Sequence, residues 1–229
     1  MSKQVFVTGT GTDVGKTYVT GLIVKKLQES GLHPGYYKAA VSGNERDLAG
    51  NLIPGDAKFV KEMAGLSQTL EEMCPYLYEV AYSPHLASRV EGNPVKKSVV
   101  LEGLARVADN YDYVTMEGSG GILCPIDYDH ERLMLWELVK ELKMPCVIVA
   151  NAGLGTINDV GLTTFFMREK GIPIAGVIFN HFHPGNVMEE DNIRMCKELF
   201  SIPVIACVKD GDRELDVDTE LLKSLYREC

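Results

Sequence analysis

The chain has 229 residues, with 23 Lys and Arg against 32 Asp and Glu, a formal net charge of −9, 45% apolar and 24% charged residues. That balance excludes a disordered chain and a basic protein that tracks along a nucleic-acid backbone, and the length suffices for one sizeable core. Any phosphate must be held at a local site of backbone N–H groups, a few cations and Mg2+, so the expected partner is a small molecule.

In chain order, the apolar run at residues 4–8 is too short for a secretory leader and reads as a first strand. The small-residue stretch Thr8-Gly9-Thr10-Gly11-Thr12-Asp13-Val14-Gly15-Lys16-Thr17 follows it. A helix is predicted over 16–30, with Val19, Leu22, Ile23 and Leu27 at helical spacing and Gly31 as its stop. A strand over 35–40 completes one βαβ unit. Residues 41–94 are broken by Gly43, Gly50, Pro54-Gly55, Pro75, Pro84 and Gly92-Asn93-Pro94, an irregularity that often carries function. Further strands are predicted at 113–116, 146–150, 175–179 and 204–208. A helix over 157–170 starts from Thr156 and is stopped by Gly171 and Pro173, and a last helix over 219–227 follows an acidic segment. Continuous apolar strands alternating with helices predict an α/β fold in a single domain spanning 1–229, a parallel sheet with helices on both faces, and the glycine-rich loop ending in Gly15-Lys16-Thr17 between the first strand and helix makes that fold P-loop NTPase-like. The longest strongly apolar stretch, 144–150, is far below the roughly 20 residues of a membrane span, which predicts no membrane partner. Six cysteines without a C-x-x-C pair predict free thiols in a cytoplasmic protein.

The strongest chemical signal is the loop ending in Gly15-Lys16-Thr17, between a strand and a helix. Small residues let successive N–H groups face a triphosphate, Lys16 can reach the β- and γ-phosphates, and the Thr17 hydroxyl can ligate Mg2+. Thr10 stands where the common spacing puts glycine, and Gly9 lies one residue earlier, so the loop is one residue longer than usual. Three other groups lie where strand ends can supply ligands. Glu117, after the strand at 113–116, is either a metal-holding carboxylate or a loop acid beside the flexible Gly118-Ser119-Gly120-Gly121. Lys38 either neutralises a transferring phosphoryl group or is a solvated lysine. Asp56 is either a ligand or the N-cap of a helix.

These pieces in this order resemble the dethiobiotin synthetase family, ATP-dependent carboxylases of biotin biosynthesis. The resemblance runs through nearly the whole chain. It rests on the lengthened loop from Gly9 to Thr17, Gly-Tyr-Tyr-Lys ending at Lys38 with Ser42-Gly43 behind it, Asp56, and Ser83-Pro84-His85. It continues through Glu117-Gly118-Ser119-Gly120-Gly121, Leu154-Gly155-Thr156-Ile157-Asn158, and Asn180 closing its strand. The resemblance implies that 7,8-diaminopelargonate, CO2 and ATP with Mg2+ give dethiobiotin, ADP and phosphate through a carbamate and a carbamic-phosphoric anhydride. It implies Lys16 and Lys38 as catalytic cations and Thr17, Asp56 and Glu117 as the metal shell. Asp13, Val14, Gly15, Lys16, Thr17 and Tyr18 would wrap the phosphates, with Asp56, Glu117, Gly118, Ser119 and Gly120 also at the nucleotide. Asn180, His181 and Val208 would lie by the adenine, and Thr12, Ser42, Ser83 and Gly120 by the diamine. The family's homodimeric state is implied too. Asp13 replaces the more usual Glu, Ala39 the usual Pro and Ser119 the usual Ala.

The acidic loop with Asp127, Asp129, His130 and Glu131 reads as a polar turn, and His181-Phe182-His183 as a loop near the nucleotide. The alternative reading is a P-loop switch ATPase of the partitioning or positioning type, which usually carries a lysine where Gly11 stands here. Amidases that share the architecture need a glutaminase domain for which 229 residues leave no room.

Overall fold

Parallel strands buried on both faces need apolar residues at every position, and the short Val- and Ile-rich runs become such strands. The computed structural model describes residues 2–229. β1 (Lys3–Gly9) leads into α1 (Lys16–Glu29), β2 (Pro34–Lys38) and the short β3 (Ala40–Val41). The irregular stretch then folds as α2 (Gly55–Ala64), α3 (Leu70–Met73), β4 (Tyr76–Leu77) and α4 (Pro84–Glu91). α5 (Lys97–Asn110), β5 (Tyr113–Gly121), the hairpin β6 (Pro125–Asp127) and β7 (Leu133–Met134), and α6 (Leu135–Leu142) come next. β8 (Cys146–Asn151), α7 (Thr156–Glu169), β9 (Ile174–Asn180), α8 (Val187–Phe200) and β10 (Val204–Cys207) continue the alternation, and α9 (Thr219–Ser224) and β11 (Arg227–Glu228) end it.

The main sheet has the order β10-β9-β8-β1-β5-β2, every neighbouring pair parallel, and β11 pairs antiparallel with the start of β1. Alternate residues feed two cores. Val5, Val7, Val147 and Val149 pack with Val19, Leu22, Ile23 and Leu27 of α1. Phe6, Met116, Ile148 and Ala150 face the opposite way, onto α5, α6, α7 and α8. The predicted parallel sheet with helices on both faces is therefore the observed one.

Four predicted boundaries shift. The strand expected over 35–40 splits: β2 pairs with β5 only as far as Lys38 opposite Glu117, and β3 turns to β4 instead. The Ser119 hydroxyl donates to the Ala40 carbonyl at 3.0 Å, a bond that a ladder would otherwise supply. The strand expected over 113–116 runs on to Gly121, which lies opposite Gly9 after a register shift. Thr156 does not cap α7 but begins it, with Gly155 as the cap residue. The last helix stops at Ser224, short of 227. Tyr226 is drawn beneath the sheet, its hydroxyl 2.6 Å from Thr115 Oγ1 and its ring edge-on to Tyr113, so Arg227 joins β1 as a strand. All six cysteines are free.

Candidate active site

The carboxyl ends of parallel strands leave room for loops and ligands, and β1, β2 and β5 bring their ends together here. The loop after β1 turns through Asp13 and Gly15, both with positive φ, at 59° and 83°. A Cβ on Gly15 would lie 2.0 Å from Asn180 Nδ2, so only glycine fits this close approach. Asn180 in turn donates from Nδ2 to the Val14 carbonyl at 3.1 Å, tying the end of β9 to the loop. No side chain caps α1 and its first turn holds no acidic residue, which leaves its first N–H groups and dipole for an anion. Lys16 folds back and donates to the Gly11 carbonyl at 2.8 Å. Burial, and then the Lys38 charge, lower its pKa from the ordinary lysine value despite nearby carboxylates.

Beside this loop stands a cluster of opposite charges. The β2–β5 register sets Lys38 against Glu117, and Lys38 Nζ donates to Glu117 Oε1 and to Asp56 Oδ2, each at 2.6 Å. The Thr17 hydroxyl, in the first turn of α1, donates to the same Glu117 Oε1 at 2.8 Å. The Lys38 and Glu117 side chains are 5% and 0% exposed, whereas Asp56 is 37% exposed and forms the solvent side of the cluster. Burial alone would discharge Lys38, but the Glu117 and Asp56 carboxylates outweigh it and raise its pKa above the ordinary value. Burial likewise opposes the Asp56 charge, yet Lys38 holds its carboxyl below the usual range. The N-cap alternative for Asp56 fails: Pro54 is the cap residue of α2, and the Gly55 N–H goes to Asn44 Oδ1 at 3.1 Å. Two carboxylates that share one cation, with a hydroxyl bonded to one of them, are a hard-oxygen donor set, and that chemistry fits Mg2+.

A cavity of about 670 Å3 opens over the cluster. Its walls hold Thr12, Asp13, Gly15, Lys16, Thr17, Tyr18, Lys38, Ser42, Asp56, Ser83, Glu117, Ser119 and Gly120, so most of the residues singled out in the sequence meet in one place. Ser42 donates to the Tyr82 carbonyl at 2.6 Å, and Ser83 Oγ lies 3.0 Å from His85 Nδ1. Gly118, Val14, Asn180, His181 and Val208 lie outside that wall. A Cβ on Gly118 would strike Phe6 and Leu135, on the opposite face of the sheet. Val208 is buried, its N–H bonded to the Phe179 carbonyl and its carbonyl to the Phe182 N–H. His181 pairs through Nδ1 with Asp210 Oδ1 at 2.5 Å, close to Gly15. Asp127 accepts the His130 and Glu131 N–H groups at 3.0 and 2.6 Å, closing a polar turn away from the cavity.

The sequence reading missed Tyr36, whose hydroxyl donates to Glu117 Oε2 at 3.0 Å, and Cys124 on the cavity wall, whose thiol burial pushes up to about 11. Tyr36 was within reach, because residues two apart on a strand share a face and Tyr36 stands two before Lys38. Cys124 carried no signal.

A family model described as an AAA domain matches residues 3–213. The chain is 45% identical over 217 residues to the ATP-dependent dethiobiotin synthetase BioD of Brachyspira hyodysenteriae, covering 94% of this chain and 96% of that protein. It is 42% identical over 228 residues to the protein of the same name from Clostridium botulinum strain Loch Maree, covering 100% of each. It is 43% identical over 227 residues to that of Clostridium perfringens, covering 99% of each. Among solved structures, a ParA family ATPase from Chlorobium tepidum matches with a TM-score of 0.51 at 14% identity, over 98% of this chain and 89% of the other. The MinC:MinD cell division protein complex of Aquifex aeolicus matches at 0.55 and 14%, over 98% and 86%. At that identity the two structures share the fold alone.

Proposed function

This chain belongs to the dethiobiotin synthetase family, ATP-dependent cyclo-ligases, and from that premise we propose that it uses ATP and Mg2+ to carboxylate 7,8-diaminopelargonate with CO2 and close the ring to dethiobiotin. The observation that carries the reading at residue level is the cluster of Lys38, Glu117, Asp56 and Thr17 beside an uncapped helix N-terminus, within one cavity.

One amine takes up CO2 and loses a proton to become a carbamate. A carbamate oxygen then attacks the γ-phosphorus, ADP leaves, and a carbamic-phosphoric anhydride remains. The second amine attacks the carbonyl carbon, phosphate departs, and the cyclic urea is complete. Carbamate and triphosphate are both anions, and bringing them into reacting distance requires fixed cations and exclusion of water. Lys16 and the N–H groups of residues 13–18 hold the phosphates, with Asn180, His181 and Val208 toward the base. Lys38, kept protonated by its carboxylate neighbours, moves its hydrogen bonds to the carbamate and the transferring phosphoryl oxygens. Thr17, Asp56 and Glu117 would hold Mg2+, which when bound neutralises charge on the phosphate oxygens. Thr12, Ser42, Ser83 and the Gly120 backbone orient the diamine. We further read the protein as a homodimer acting in the cytoplasm, where six free thiols are at home; no helix of the described residues is long and apolar enough to cross a membrane.

The mechanism predicts the fate of one oxygen. With 18O-bicarbonate, the released inorganic phosphate should carry one 18O from CO2, read by mass spectrometry under single-turnover conditions. Phosphate free of label, alongside dethiobiotin formation, would remove the anhydride from the pathway.

A further inference from the structure

Glu117 has two carboxylate oxygens, and the charge cluster engages one. Oε1 faces Thr17 and Lys38, while Oε2 turns back into the protein and accepts the Tyr36 hydroxyl at 3.0 Å. Tyr36 is fully buried, and its ring packs among Val24 of α1 and Ala57 and Val60 of α2. Its backbone is fixed as well. β2 is the edge of the sheet, so the Tyr36 N–H and carbonyl have no strand beyond them. The side-chain amide of Gln68, 1% exposed, takes that place: Oε1 accepts the Tyr36 N–H at 2.8 Å and Nε2 donates to its carbonyl at 2.9 Å. Lys61 donates to the Gln68 carbonyl and secures that residue in turn.

We infer that Tyr36, anchored by Gln68, is a positioning residue that sets the rotation of the Glu117 carboxylate and so aims Oε1 at the cation site. The inference rests on the metal role proposed for Glu117. The terminal torsion of a glutamate is broad and roughly two-fold, so fixing one oxygen is what fixes the other. The packing around the ring requires only a phenyl group; the hydroxyl serves Glu117. Without it a buried carboxylate oxygen would lack a partner and the group would be free to turn toward Lys38 with either oxygen.

The test is Tyr36→Phe, with Mn2+ binding in the presence of ADP measured by electron paramagnetic resonance, beside steady-state kinetics at varied Mg2+. The expected result is a cooperative thermal melt, a Mn2+ Kd raised at least fivefold, a matching rise in half-saturating Mg2+, and a KM for 7,8-diaminopelargonate within twofold of the parent. A Mn2+ Kd within twofold of the parent would reduce Tyr36 to a packing residue and overturn the inference. If Tyr36→Phe does not fold, Gln68→Ala, which keeps the hydroxyl and removes its anchor, must weaken Mn2+ at least twofold, and an unchanged Kd overturns the inference equally. Glu117→Gln is the control on the premise, because Mn2+ affinity indifferent to it would remove the metal role itself. Failure of the proposed reaction would look different: the parent protein would bind Mn2+ with ADP and show the Tyr36 effect, yet form no dethiobiotin.

Discussion

Among the described residues, Lys38 is the sole cation in salt-bridge contact with Glu117 or Asp56. Its position between them is why the mechanism requires it to change partners, and why removing it should separate chemistry from binding. Lys38→Ala is expected to lower kcat at least about 10^3-fold, near the upper end of losses for a group that stabilises transition-state charge. The Kd for MgATP, by calorimetry, is expected to stay within about fivefold, because the proposed phosphate contacts are Lys16 and the α1 N-terminus, not Lys38. A large loss of ATP affinity with turnover intact would contradict the role. The same variant has a predictable pH signature. The Lys38 pKa is raised, so its contribution to stability is full below the ordinary lysine value and is lost only as pH climbs through the higher folded value. The Asp56 pKa is lowered, so its contribution is full above the ordinary carboxylate value and is lost as pH falls through the lower folded one. The stability gap between parent and Lys38→Ala, from urea titrations, should therefore be flat from about pH 6 to 9 and narrow below about pH 4. Of these residues, Thr17 and Glu117 stood out from loop and strand-end logic. Lys38 and Asp56 each suited a second reading, a solvated lysine and a helix cap, and only the burial of Lys38 and the reach from α2 to β2 decide against those.

At the scale of elements, the loop into α1 is held from outside by the end of β9. Gly15→Ala would set its Cβ 2.0 Å from Asn180 Nδ2 at a φ of 83°, a conformation in which an L side chain is strained. Either the Asn180 bond to the Val14 carbonyl breaks or the loop moves. The expected cost is about 2 kcal/mol of stability, with ADP binding weakened at least tenfold, measured by denaturation and calorimetry on the same protein. A variant with parental ADP affinity would show that the contact does not shape the loop. The strands of the sheet were legible because burial on both faces leaves continuous apolar runs. Beyond the broken stretch of residues 41–94, three helices were not picked out. α5 begins after Lys96 and ends before Tyr111, without a capping side chain at its start or a glycine at its end. α6 is only eight residues long and abuts β7. α8 did offer a signal, Asn186 accepting the Met188 and Glu189 N–H groups, that its many charges masked.

For the whole molecule, the strand order explains why distant segments cooperate. β1 carries the loop, β5 beside it carries Glu117, and β2 beyond carries Lys38, so two crossovers, β1 to β2 and β2 to β5, bring these residues to one stretch of the sheet's carboxyl edge. A chain of net charge −9 thus presents a confined pair of lysines, Lys16 and Lys38, where anions would meet. The architecture was readable from alternation alone, whereas the closure by Tyr226 and β11 was not, since it depends on a contact between residues 111 positions apart. The measurement that bears most directly on the central claim is fixation of 14C-bicarbonate by the purified protein with ATP, Mg2+ and 7,8-diaminopelargonate, each omitted in turn. The account predicts acid-stable label that co-migrates with dethiobiotin and requires every component. ATP hydrolysis without fixed label, or label that forms without the diamine, would contradict it.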